Sequence, residues 1–244
     1  MLDTNLAATV HRLCLNVSVD GPAGSGKTTI GKGLASALQC PYLDTGLMYR
    51  AVTLAALRGS ISLDDGEALG RLGASMHFDL GGPGESLTVN GETPDPDLRS
   101  AAVDAAVPRV SAHAALRREM VRRQRELARD RCVIMVGRDI GTVVLTDAPV
   151  KLWIVASAEE RARRRLAEHL PGSAGVSMEE AVRQIVARDA QDAGREISPL
   201  KRPDGAIDID TDHLSPAESV RAALLAIQKA LAEKPQTVTR RGVH

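Results

Sequence analysis

Val19-Asp20-Gly21-Pro22-Ala23-Gly24-Ser25-Gly26-Lys27-Thr28-Thr29 is the stretch that decides the fold. Gly21 to Thr28 satisfies G-x-x-x-x-G-K-[ST] at every position. Before it, Leu15 to Asp20 (LNVSVD) reads as a buried strand. After it, Lys27 to Gln39 reads as a helix with Ile30, Leu34, Ala37 and Leu38 on one side. In that strand–loop–helix setting, backbone N–H groups and the helix dipole converge on an anion. Glycine lets the backbone wrap a phosphate without Cβ clashes. Lys27 is placed to reach the β and γ oxygens of a nucleoside triphosphate, and the Thr28 hydroxyl to ligate Mg²⁺. The loop alone does not separate kinases from GTPases or ATPases. No guanine-reading N/T-K-x-D occurs, which favours a small-molecule kinase.

Working outward, apolar runs alternate with helical patterns. Pro41 to Leu43 is extended and leads to a helix over about Leu47 to Arg58. Residues 76–80 and 86–90 flank Gly81-Gly82-Pro83-Gly84 and read as a hairpin, an insert rather than another βα unit. Leu116 to Arg129 is a strongly charged helix. Arg131 to Val136 and Lys151 to Ala156 are continuous apolar strands. Helices follow at Ala158–His169 and Ser177–Asp192. A short strand, Ala206 to Asp210, precedes a helix over Ser215 to Ala232, capped by Ser215 with Pro216 at its first position. Strands separated by helices imply an α/β fold, a central parallel sheet covered on both faces.

Composition narrows the function. With 31 Lys plus Arg against 31 Asp plus Glu, the basic surplus that nucleic-acid backbone binding needs is missing. Aromatics at 2% leave no base-stacking platform for single strands. No apolar run reaches membrane-spanning length, and Met1 to Arg12 does not read as a signal peptide. Cys14, Cys40 and Cys132 form no CxxC pair and read as small buried residues. They point away from a disulfide framework or a zinc site and towards a reducing compartment, the cytoplasm.

A second substrate is implied by charged residues at strand ends. Asp44-Thr45-Gly46-Leu47-Met48-Tyr49-Arg50 puts a hydroxyl at a helix start and Arg50 about one turn in. Gly137-Arg138-Asp139-Ile140-Gly141-Thr142 follows a buried strand, and Arg188-Asp189-x-x-Asp192-x-x-Arg195 alternates charges at near-helical spacing. Ligands of doubly wound sheets bind at the carboxyl ends of strands. Arginines there can grip a monophosphate in a bidentate fork, and a carboxylate can accept from a base amine. A phosphate acceptor is largely dianionic at neutral pH, its second pKa being ~6, so no strong base is needed.

These pieces together resemble bacterial cytidylate kinases: VDGPAGSGKTT (Val19–Thr29), LDTGLMYRA (Leu43–Ala51), GRDIGTVV (Gly137–Val144), the Ala148–Arg165 run, RD-x-x-D-x-x-R (Arg188–Arg195) and Pro199-Leu200, in the family's order over roughly residues 14–230. The resemblance implies a three-layer P-loop kinase core over 14–75 and 111–232, with a mobile helical lid at about 161–175. It implies a small CMP-binding insert over 76–110, and 1–13 and 233–244 are expected to be flexible tails. The implied reaction moves the γ-phosphate of ATP to CMP or dCMP with Mg²⁺; a monomer is the default expectation. By position, Gly21, Pro22, Ala23, Gly24, Ser25, Gly26, Lys27, Thr28 and Thr29 would hold ATP. Thr45, Arg50, Arg117, Asp139, Asp192 and Arg195 would contact CMP. Lys27, Arg138 and Arg188, with Arg161, Arg164 and Arg165 of the lid, would act on the transferring phosphate.

Two positions depart from the family pattern. Val136 stands where an acid usually precedes GRD. Pro108 stands where a serine is usual, with Ser111 the neighbouring hydroxyl. Other readings remain open: a small P-loop kinase acting on UMP, AMP or shikimate, or a nucleotide-binding protein without turnover.

Overall fold

The computed structural model describes residues 5–83, 85, 87–167 and 175–233. The chain runs α1 (Leu6–Arg12), β1 (Asn16–Asp20), α2 (Lys27–Leu38), β2 (Tyr42–Asp44), α3 (Thr45–Arg58), α4 (Gly66–Ser75), β3 (Phe78–Asp79), β4 (Thr88–Val89) and a 3₁₀ turn (Pro96–Arg99). It continues with α5 (Ala101–Val110), α6 (Ala114–Leu127), β5 (Val133–Gly137), a π turn (Ile140–Val144), β6 (Val150–Val155), α7 (Ala158–Ala167), α8 (Met178–Ala193), β7 (Ile207–Asp210) and α9 (Pro216–Glu233).

The five long-range strands form one parallel sheet in the order β2-β5-β1-β6-β7. Period-2 alternation sends their side chains to two different cores. Val17, Val19, Ile134, Leu152 and Ile154 face α2, α9 and α1 on one side. Leu43, Val133 and Met135 face α3 and α6 on the other. The result is the three-layer arrangement expected from the alternation of strands and helices. β1 lies at the centre of the sheet, and the chain crosses from one side of it to the other between β5 and β6. That places a crevice at the carboxyl ends of the central strands.

Three expectations change. Of the expected tail 1–13, residues 1–4 lie outside the described residues, and the rest is not simply a tail, because α1 occupies Leu6–Arg12 and buries Leu6 and Val10. Burying two such side chains stabilises the docked helix by ~1.5–3 kcal/mol each, and their i,i+4 spacing is a stripe too narrow to stand out in the sequence. The insert does contain a hairpin, with Phe78 opposite Val89. It has no core of its own, however. Phe78, Leu87, Leu98 and Val103 join the same cluster as Met48, Leu69, Met120 and Val133. A piece of ~40 residues or fewer cannot bury enough surface by itself. Finally, Cys14 is exposed, and only Cys40 and Cys132 are buried. Residues 168–174 of the expected lid, and 234–244 of the expected C-terminal tail, lie outside the described residues. Helices α7 and α8, on either side of that gap, pack through a small separate cluster of Ala162, Ala181 and Ile185.

Candidate active site

The loop between β1 and α2 is shaped by backbone that only glycine adopts easily. Gly21 has φ +150°, and a Cβ there would sit 2.1 Å from the Ile154 carbonyl oxygen. Gly26 caps α2 in the left-handed region at φ 89°. The loop thereby curls over the start of α2 and carries Lys27 inward. The Lys27 ammonium donates to the Pro22 carbonyl and lies 3.5 Å from Ser25 Oγ. Its pKa is pushed down to about 7, first by burial and then by Arg138, against the pull of Asp44 and Asp20. A buried cation with this little compensation is prepared for an anionic ligand.

Asp20, at the end of β1, accepts from the Ile140 N–H at 2.7 Å and the Gly141 N–H at 2.8 Å. Burial pushes its pKa up to about 6 despite those two bonds. Asp20 therefore fixes the π turn, and with it the Gly137-Arg138-Asp139 segment, against the phosphate loop. Thr45 Oγ1 donates to the Val136 carbonyl at 2.9 Å, which ties the start of α3 to the same edge.

Two cavities open here. One, of about 230 Å³, is lined by Thr45, Arg50, Arg117, Asp139, Asp192 and Arg195 among others, so all six residues expected to contact the acceptor come together. The other, of about 590 Å³, lies over Gly26, Thr29 and the inner faces of α7 and α8, with Arg161 and Arg165 on its wall. Ala23, Gly24, Lys27, Thr28 and Arg188 line both. Arg138 lines only the first cavity. Gly21, Pro22 and Ser25 line neither, and support the loop from behind.

The charges are arranged in pairs. Arg117 Nη1 donates to Asp139 Oδ2 at 3.0 Å, and both side chains are buried. The guanidinium lies 5.3 Å from the centroid of the Tyr49 ring, and Arg117 Nε is buried without a partner. Burial pushes the Tyr49 hydroxyl up to about 12, so it stays protonated. Asp192 receives Arg138 on one oxygen and Arg195 on the other. Burial alone would raise its pKa, but these arginines hold it below the usual carboxylate range. Arg188 is pushed down to about 10 by burial, then by Arg138 and, more weakly, Arg50 and Arg165.

Three expected residues are already engaged. Arg161 is buried, with Nη1 donating to Asp189 Oδ2 at 2.6 Å and to the Ala23 carbonyl at 3.2 Å. It braces the phosphate loop through Ala23 while lining the larger cavity. Arg164 is held by Glu160 and by Thr211. Arg50 lines the acceptor cavity while bound to Leu98 O at 2.8 Å and Asp104.

Sequence reasoning missed Arg99, which lines both cavities from the 3₁₀ turn of the insert. No motif surrounds it, so only the docking of the insert could reveal it. Tyr49 and Asp44 lay inside a quoted motif without an assigned role, and both line the acceptor cavity. Pro108 and Ser111 line it too. Ser111 is buried, its hydroxyl donating to the Pro108 carbonyl at 3.3 Å.

A parallel sheet with a phosphate loop on its central strand, and an arginine-lined pocket sharing Lys27 with that loop, defines a P-loop kinase of small substrates. The family model for cytidylate kinase matches residues 17–238. The cytidylate kinase of Bacillus pumilus (strain SAFR-032) is 44% identical over 203 residues, 82% of this chain and 90% of that one. That of Caldanaerobacter subterraneus subsp. tengcongensis is 43% identical over 217 residues, 89% of this chain and 96% of its own. A crystal structure of shikimate kinase from Bacteroides thetaiotaomicron aligns at TM-score 0.45 and 15% identity, over 89% of this chain and 98% of that one. The chain belongs to the cytidylate kinase family.

Proposed function

We infer that the protein transfers the γ-phosphoryl group of ATP to CMP or dCMP, giving ADP and CDP or dCDP. The observation that carries this reading is the shared wall: Lys27, Thr28 and Arg188 line both cavities, so a donor over the loop and an acceptor beside it meet at the same cations.

The acceptor phosphate is already a nucleophile, so catalysis reduces to positioning and charge stabilisation. Lys27 follows the β and γ oxygens, and Arg188 faces the phosphate from the other side. Arg50, Arg138 and Arg195 hold the acceptor phosphate from within the smaller cavity. Each is pre-organised by a carboxylate, Asp104 for Arg50 and Asp192 for the other two, so little reorganisation accompanies transfer. Arg161 acts through the loop as a positioning residue, and Arg165 approaches the donor side.

Asp139 and Arg117 suit cytosine. A carboxylate accepts from the exocyclic amine, and the guanidinium donates to ring acceptors. Uracil would set an oxygen against Asp139 and leave both unpaired. Thr45 and Ser111 add hydroxyls on the same wall.

The donor set also suits Mg²⁺. Thr28 and Asp44 supply hard oxygens beside Lys27 in the same cavity, and Mg²⁺ needs few protein ligands when phosphates and water complete its shell. Bound with ATP, the ion supplies charge neutralisation on the β and γ oxygens. The Val136 side chain offers no oxygen; it is buried against α2, with Gly31 and Tyr42 beside it.

One chain builds both half-sites, so a monomer suffices. Small nucleotides in the cytoplasm are its partners; among the described residues no helix is long and apolar enough to cross a membrane. The test is an ADP-coupled assay with Mg-ATP and CMP, dCMP, UMP, AMP, GMP and shikimate in parallel. Turnover on CMP and dCMP well above the others is expected. Binding of ATP and CMP without ADP release would overturn the reading and implicate Val136.

A further inference from the structure

At the opposite, amino-terminal edge of the sheet, three side chains take no part in this chemistry. Cys40 lies in the middle of the α2–β2 connection, and Cys132 directly precedes β5. β2 and β5 are parallel neighbours with Tyr42 opposite Ile134. Two residues earlier, Cys40 and Cys132 stand at matching register, on the same face. His11 reaches them from α1. The ligand atoms of all three lie within 4.8 Å of one another, and Cys132 Sγ is 3.4 Å from His11 Nδ1.

The imidazole is oriented from behind. His11 Nε2 lies 2.9 Å from the Leu38 carbonyl oxygen. A carbonyl only accepts, so Nε2 carries the proton and the neutral ring keeps its lone pair on Nδ1. Metal-ligating histidines are held in this way, by a backbone carbonyl or carboxylate on the far nitrogen. Zinc bond lengths of about 2.3 Å to sulfur and about 2.0–2.1 Å to nitrogen give tetrahedral edges of roughly 3.5 Å for N–S and roughly 3.8 Å for S–S. The His11–Cys132 pair already matches its edge, and no pair of the three atoms is more than 4.8 Å apart. Both cysteines are buried and His11 is exposed, so solvent reaches the cluster from the His11 side.

We propose that His11, Cys40 and Cys132 form a Zn²⁺ site, with water as fourth ligand, that fastens α1 to the amino edge of the sheet. Binding replaces two S–H bonds by two zinc–thiolate bonds and releases two protons to solvent; nothing is oxidised. Thiolate and imidazole are the donors that favour zinc over the magnesium that serves the other end of the sheet. The proposal runs against the expectation from the sequence, where the spacing of the cysteines points away from zinc. The β2–β5 register and the docking of α1 create the cluster, and neither is visible in linear spacing.

The test uses the full chain, reduced, stripped with chelator and free of nucleotide. Titration with Co²⁺ should show one ion per chain with sulfur-to-cobalt charge-transfer absorption, displaced by one equivalent of Zn²⁺. Zn²⁺ should raise the melting temperature. His11→Ala, on an exposed side chain that should not impair folding, should weaken Zn²⁺ binding at least ten-fold, and Cys132→Ser should cut the charge-transfer intensity per bound ion by about half. Absence of that band in the wild type, or equal Zn²⁺ affinity in wild type and His11→Ala, would overturn the proposal. So would a Cys40–Cys132 disulfide that forms in air equally fast with and without Zn²⁺, because bound thiolates would be protected.

Discussion

Lys27→Met should abolish turnover and yet make the ligand-free protein more stable. Lys27 is only 7% exposed, and its pKa lies at about 7 instead of 10.5. The folded state thus holds this proton less tightly than the unfolded chain does. At about 1.4 kcal/mol per pH unit, that gap sets a ceiling of about 5 kcal/mol on the destabilisation that the charged lysine causes. Methionine removes the charge and keeps most of the volume. The ammonium's contacts with Pro22 and Ser25 are lost with it, at a cost of about 1–2 kcal/mol. The net gain is about 3 kcal/mol, or about 6–12 °C in Tm for a chain of this size. The pH dependence has a definite sign. Below pH 7 both states carry the proton and the full penalty applies. Between pH 7 and 10.5 the folded wild type has released the proton and the unfolded chain has not, so wild-type stability rises with pH and the variant's lead shrinks. Urea unfolding of both proteins at pH 6.5, 8.5 and 10 measures this directly, and the difference between them cancels other titrating groups. With Mg-ATP present the order should reverse, because ligand binding stabilises only the protein that binds it. A variant less stable than wild type at pH 6.5, or a gap independent of pH, would refute the reasoning.

Three further outcomes are expected. Asp192→Asn should raise KM for CMP at least ten-fold while KM for ATP changes less than three-fold, since Arg138 and Arg195 lose their common anion; an effect confined to ATP would reverse the assignment of the two cavities. Arg161→Ala should lower stability by about 3 kcal/mol, because Asp189 is left partly buried and unpaired, and should raise KM for ATP more than for CMP, as steady-state kinetics and melting curves would show. Gly21→Ala places a methyl 2.1 Å from the Ile154 carbonyl oxygen. The loop must shift, so ATP affinity measured by calorimetry should fall at least ten-fold; unchanged affinity would mean that the loop tolerates a different curvature.

Much of this protein is written locally. The phosphate-loop motif, the apolar runs at 15–20, 131–136 and 151–156, and the helical periods between them dictate a parallel α/β sheet. Each depends on neighbours within one turn or one strand. Lys27, Thr45, Arg117, Asp139, Asp192 and Arg195 stood out in the sequence because their motifs lie at strand ends and helix starts, and the fold gathers all six around one cavity. The tertiary structure decided what depends on distant contacts. It fused the insert into the α3–α6 core and so brought Arg99 to both cavities. It turned Arg161 from a free cation into a brace on Ala23, because Asp189 lies within reach across α7 and α8. It also brought Cys40, Cys132 and His11 together across more than 120 residues of chain. Local propensity can specify which residues point to one face of an element. Only packing sets which faces meet, and therefore which charges are paired, which stay unsatisfied, and which are left for a ligand.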